Sequence, residues 1–327
     1  MTNTIRINAQ YDVKNEIGGE MMRWLDQVCD IKDSIGSDWD GLDPLQKVCL
    51  YWHMGNICAS SKIRLFDCDS SEYSKQILDE FPVRREAENL AEFSDTLTSA
   101  WSPLKKFLGL SCGKKTGTYQ LLSAEGDFAK ACRARIEKAG AMDFLEVSHT
   151  IGNFMPVPRG FNCARTGYTG APDYLAAYDQ TDLCLMAIKE YYDIHTSHDP
   201  NRDQTIPDTD PLRKLFCLKS RDEGKREISH AKAWLDHFGC WRTFVEKNML
   251  LPMVDENYLP IPFFPGHSLE RPYPDNDEDW KTFFSTAARL IRERSEHIVN
   301  SIAKRKPTGV LYWRSSGALT GPLDMAM

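Results

Sequence analysis

Apolar positions recur every three to four residues along most of the chain, the spacing of helices that bury one face. Ile17, Met21, Trp24, Leu25 and Val28 define a first helix over 16–32. A turn follows at 37–43. Pro44 then takes the first position of a second helix carrying Val48, Leu50, Trp52 and Met54, with Asp43 as N-cap. A shorter helix is expected from Ser71 to Phe81, stopped by Pro82, which has no amide hydrogen to give the ladder. Leu90, Phe93, Leu97, Trp101, Leu104 and Leu108 read as one continuous stripe over 84–108, kinked at Pro103. Residues 124–139 predict another helix with Phe128, Ala131 and Ile136 inward.

The pattern changes at 149–172, where four glycines and three prolines interrupt Ile151, Phe154, Met155 and Val157. An ordered, partly buried loop with one short strand is expected there, since loops of this length are functional or disordered and this one is too apolar to be solvated. Tyr174, Tyr178, Thr181, Leu185, Ile188 and Tyr192 then mark the strongest helix, and 195–211 is a polar loop. Trp234, Phe238, Trp241 and Val245 predict one helix over 229–247. The proline-rich segment 257–275 is expected to run extended across the surface. A last long helix opens on the acidic run at Asp275–Asp279, favourable at a helix N-terminus. A short strand at 308–313 and a loose tail over 319–327 complete the chain.

These elements make a mainly α, compact multi-helix globular fold with a few short β-strands. No repeat or sharp composition break appears, so 1–327 reads as a single unit. The alternative subdivision separates a helical part, 1–148, from a part, 149–327, holding the ordered loop and the long helices.

Composition adds limits. The 327 residues carry 40 Lys+Arg and 47 Asp+Glu, a formal net charge of −7, which argues against a broad nucleic-acid-binding surface. No apolar run approaches the ~20 residues of a membrane span, and the N-terminus lacks the apolar core of a secretory signal. The ten cysteines never come closer than nine residues to each other, so no paired metal knuckle exists. Free buried thiols in a reducing cytoplasm are the expectation.

Most catalytic motifs fail. Gly109 and Gly113 are one residue too close for a phosphate loop, and a second lysine precedes Thr116. His195 and His198, beside Asp193 and Asp199, lack a third ligand set by spacing, so no metal and no cofactor is expected. Asp38, Asp40 and Asp43 fit turn and cap roles better than a calcium loop. Hydrolase elbows, zinc-protease and deaminase signatures are absent.

Two groups of polar residues stand inside apolar patterns. Arg292 and His297 match the R-x4-H spacing of helical endoribonucleases of the HEPN type, but five helical steps place them about 140° apart. Arg294 is the inward partner, four after Leu290 and four before Ile298. It reads either as a structural ion pair with a carboxylate of a neighbouring helix or as a substrate-binding arginine with His297 as catalytic acid–base partner. In the middle loop, His149 is a second catalytic candidate. Asn153, Arg165 and Tyr168 are substrate-binding candidates, with Asn162 beside them. Arg165 can grip a phosphate or carboxylate bidentately. Asn153 reads equally as a residue that holds the loop itself together.

Several blocks resemble a family of uncharacterised bacterial proteins: Ile151-Gly-Asn-Phe-Met-Pro156, Arg165-Thr-Gly, the run from Asp179 to Tyr192, Asp236 to Phe244, and the Arg294-x-x-His297 helix. The resemblance covers roughly the C-terminal half. Family members carry a basic residue, often Arg, at the place of His297, which preserves an anion-binding pair more readily than a catalytic histidine. The resemblance implies bacterial origin and a shared fold, and no particular reaction.

Two functions therefore compete. One is an enzyme acting on a phosphorylated, nucleotide or RNA substrate, of the toxin or phage-defence type, whose partner is an anionic small molecule or short RNA. The other is a non-enzymatic protein-interaction or regulatory module that docks a protein through 257–275.

Overall fold

The computed structural model of the chain describes residues 5–28, 38–60, 68, 71–110, 121–122, 126–161, 179–195, 225–306, 310–313 and 319–320. The fold is mainly α. The described helices are α1 (Asn15–Val28), α2 (Pro44–Ser60), α3 (Glu72–Leu78), α4 (Pro82–Glu86), α5 (Trp101–Leu108), α6 (Asp127–Lys138), α7 (Ala141–Val147), α8 (Thr181–His195), α9 (Lys225–Phe238), α10 (Trp241–Lys247) and α11 (Asp277–Arg305). Five short strands accompany them: β1 (Ile5–Ile7), β2 (Phe93–Thr96), β3 (Phe154–Val157), β4 (Val310–Trp313) and β5 (Leu319–Thr320). No described helix is long and apolar enough to cross a membrane.

The α2 start follows from its sequence. Asp43 Oδ1 accepts from the Gln46 amide at 2.8 Å, and Gln46 Oε1 accepts from the Asp43 amide at 3.1 Å, a reciprocal cap ahead of Pro44. Asn276 caps α11 by accepting from Asp279 N, behind an acidic first turn.

The 29-residue α11 carries the centre of the core. Trp280, Phe283 and Phe284 meet Phe107 of α5 and Phe144 of α7, with ring centroids 5.3–6.2 Å apart. One cluster of buried residues extends from Ile7 to Ile302. Two small sheets flank it. β1 pairs in parallel with β4 and β4 antiparallel with β5, which ties the two ends of the described chain together. β2 pairs antiparallel with β3, with Phe93 opposite Val157.

Several expectations are corrected. The stripe over 84–108 is not one helix: it divides into α4, a 3-10 turn at Glu88–Leu90, β2 and α5. Strand pairing with β3 outweighs the helical spacing of the apolar residues. Pro103 sits in the first turn of α5, where no amide hydrogen is required. Pro82 opens α4 instead of only ending α3. The 229–247 helix breaks at Gly239, which has φ 71°, a left-handed turn natural to glycine, and Trp241 restarts the helix as α10. In α6 the buried face is Ala129, Cys132 and Ile136, while Phe128 is 44 % exposed.

The 257–275 segment does not lie on the surface throughout: Phe263, Phe264 and His267 are buried in the core. Leu319 and Thr320, expected in a loose tail, form β5. The phosphate-loop-like residues 111–116, His198 and most of the 195–211 loop lie outside the described residues.

Candidate functional site

The middle loop and the last helix do meet, and they are in close contact at Gly152. Gly152 lies so close to α11 that a Cβ there would fall 2.0 Å from the Ile291 carbonyl oxygen. Its amide donates to Ser295 Oγ at 2.8 Å, and the Ser295 hydroxyl donates to Thr150 Oγ1 at 3.2 Å. Only glycine permits this approach.

Arg294 leaves α11 at the same level and is fully buried. Its Nη1 donates to the carbonyls of Gly152 at 2.6 Å and Phe154 at 2.8 Å. Nε donates to Met249 O at 3.1 Å and Nη2 to Asn248 O at 3.1 Å. Four of the five guanidinium hydrogens are thus matched to backbone carbonyls. In place of a carboxylate partner, main-chain oxygens of the 248–249 loop, the middle loop and the start of β3 take up the guanidinium. Burial lowers the Arg294 pKa to about 9, so the side chain stays cationic at neutral pH. The Phe81 ring stands 5.9 Å from the guanidinium carbon.

Asn153 is equally committed. Its Oδ1 accepts from Thr98 N at 2.9 Å, while Nδ2 donates to Thr98 O at 2.8 Å and Ser148 O at 2.7 Å. Its main chain closes the same seam, with Leu97 N donating to Asn153 O at 2.6 Å. Among the two readings open for Asn153, these bonds favour the residue that ties the loop to β2.

His149 is buried between Tyr51 and Phe154, with ring centroids 4.7 Å and 6.4 Å away. Its Nδ1 lies 3.0 Å from Lys14 Nζ, and an ammonium can only donate, so Nδ1 is an acceptor. Burial, and then the Lys14 charge, hold His149 well below the usual histidine range. Lys14, itself buried, also pairs with Asp12 Oδ2 at 3.2 Å. A ring fixed in the neutral form by a buried lysine is poorly placed to take up a proton.

His297 is the most open of the four. It is half-buried, and burial, the Arg294 charge and the Lys304 charge all lower its pKa. Among the described residues, no hydrogen bond or ring contact joins it to His149 or Asn153. Arg165 and Tyr168 lie outside the described residues, as does Asn162.

A second buried polar cluster escaped the sequence reading. Asp182 Oδ2, in the first turn of α8, accepts from Phe263 N at 2.8 Å and pairs with His267 Nδ1. His267 Nε2 lies 3.2 Å from Pro272 O, a carbonyl that can only accept, so Nε2 carries a hydrogen. Gln180 Nε2 donates to the same carbonyl at 3.0 Å. This cluster clamps 257–275 to α8. The one signal for it was a carboxylate beside the apolar stripe of α8, which reads as a surface residue without the partner 85 positions away.

No group of three His, Cys, Asp or Glu among the described residues is arranged to hold a metal ion. In comparisons with known proteins, no family model matches the chain, and no curated protein and no solved structure matches it either.

Proposed function

We propose that the chain is a non-enzymatic protein-interaction or regulatory module of the bacterial cytoplasm, related in fold to the uncharacterised family its C-terminal half resembles. One observation carries this reading: the Arg294 guanidinium is matched to four backbone carbonyls, so it has no free face for a phosphate. The enzyme reading uses Arg294 and Asn153 to bind substrate and His149 as a catalytic group, and all three are engaged in contacts within the fold. Free thiols at Cys49, Cys68, Cys132, Cys184 and Cys240 agree with a reducing compartment. Docking through the apolar residues of 257–275 is not part of this proposal, because Phe263 and Phe264 are core residues.

The test uses His297→Ala, which removes a half-buried side chain without touching the Arg294 bonds. Full-length protein is incubated with an RNA oligonucleotide and with a phosphate monoester. The expectation is no turnover that distinguishes wild type from His297→Ala. Cleavage by wild type that disappears in His297→Ala, at an unchanged melting temperature, overturns the reading in favour of an enzyme.

A further inference from the structure

The segment 263–272 forms no described helix or strand, yet Phe263 and Phe264 are buried against Phe283 of α11. Among the described residues, its main chain meets neighbouring elements at two points. Phe263 N donates to Asp182 Oδ2 at 2.8 Å, and Pro272 O accepts from Gln180 Nε2 at 3.0 Å. Its other main-chain bonds close within the segment, as between Ser268 and Arg271. Both anchoring points lie at the start of α8, and His267 bridges them.

The bridge fixes the protonation of the ring. Nδ1 faces Asp182 Oδ2, which already accepts from Phe263 N, and Nε2 faces the Pro272 carbonyl at 3.2 Å. Both partners are acceptors, so both ring nitrogens carry hydrogen and the ring is an imidazolium. The side chains of His267 and Asp182 are 0 % and 1 % exposed, so water is not at hand to replace either bond.

The same proton balances a buried charge. Asp182 Oδ1 meets no donor, and His267 is the one ion-pair partner of Asp182 among the described residues. Other charges near the ring are committed elsewhere. Arg271 of the same segment bonds Asp275 at 2.9 Å and Asp279 of α11 at 2.5 Å, with its guanidinium 5.0 Å from the Phe264 ring. From α11, the Phe283 ring faces His267, and Glu270 of the segment is exposed. Loss of one proton leaves a single N–H for two acceptors and strips a buried carboxylate of its counter-charge, which favours an open, hydrated arrangement.

We infer that His267 is a proton-operated latch: the imidazolium holds 263–272 against α8, and loss of its proton releases the segment and bares Phe263 and Phe264. This goes beyond the interaction-module reading and does not depend on it. Amide hydrogen exchange of 263–272 is followed by mass spectrometry in the full-length protein as pH rises, corrected for base catalysis with a free peptide of the same sequence. Above about pH 6.5 a hydrated histidine is neutral, so each opening releases one proton. The corrected exchange should then rise about tenfold per pH unit, while amides of α11 show no such slope. In His267→Gln and Asp182→Asn the segment should exchange fast already at about pH 6 and lose the slope, and His297→Ala should keep it. Nitrogen-15 spectra of the wild-type protein at neutral pH should show hydrogen on both ring nitrogens of His267. A flat corrected rate in wild type, a bare ring nitrogen in the closed protein at neutral pH, or a slope that survives His267→Gln overturns the latch. Should a variant fail to fold, the wild-type slope and ring spectrum decide alone.

Discussion

Arg294 shows how far a side chain can be inferred from spacing alone. Its inward position was legible, because it falls within the apolar stripe of α11. Its partners were not, because carbonyls at Asn248 and Met249 belong to every residue type and carry no signature. Gly152 is the matching case on the loop: substitution by alanine should cost about 3 kcal/mol or more in urea denaturation, since both the Ile291 carbonyl and the Ser295 side chain must move. Gly19→Ala, exposed on α1 with nothing within 4 Å of the new Cβ, should gain about 0.5–1 kcal/mol instead. His149 adds a pH dependence. Its folded-state pKa is depressed, so the unfolded chain takes up the proton first as pH falls below 6.5. The stability held by neutral His149 is complete above that pH and is lost on acidification. The melting temperature should drop between pH 7 and 5, and the drop should be shallower in His149→Gln. Half-buried His297 contributes in the same direction. Among thiols, hydrogen bonding from Thr243 lowers the pKa of exposed Cys240, whereas burial raises that of Cys49. Iodoacetamide at pH 7.5 should label Cys240 in the native protein and reach Cys49 only after unfolding, read by peptide mass spectrometry.

Helices announced by caps were legible, and elements set by pairing were not. Asp43 and Pro44 located the start of α2 because both act through local geometry. Replacing Asp43 by alanine should cost about 1–2 kcal/mol, measured by denaturation. Asp43→Asn should recover only the capping part of it, since the asparagine oxygen can still accept from Gln46 N while the mostly buried Arg133 guanidinium loses its carboxylate. The stripe over 84–108 misled for the opposite reason. Leu90, Phe93 and Leu97 have helical spacing, but Phe93–Thr96 is drawn into a strand by Phe154–Val157, some sixty residues away. Periodicity in a short window cannot register a partner at that distance. The break at Gly239 was in principle readable, as a glycine one residue beyond Phe238 is a common helix stop.

The whole molecule is organised by α11. One face packs the aromatic residues of α5 and α7, and Arg294 and Ser295 anchor the middle loop. The clamp from Asp182 to His267 then folds 257–275 onto the core. The mainly α class was legible from composition and spacing, because burying one apolar face is a local instruction repeated along the chain. The candidate site was legible only as a set of inward polar residues, and its meaning changed once their partners were known: three of the four described candidates hold the loop, β3 and α11 in place. The account therefore turns on Arg294 being structural. Urea denaturation of Arg294→Lys beside His297→Ala tests it most directly. A lysine ammonium has three donors and no fork, so it cannot serve four carbonyls, and Arg294→Lys should lose about 3 kcal/mol or more while His297→Ala loses about 1 kcal/mol at most. An Arg294→Lys protein with the wild-type midpoint would contradict the account.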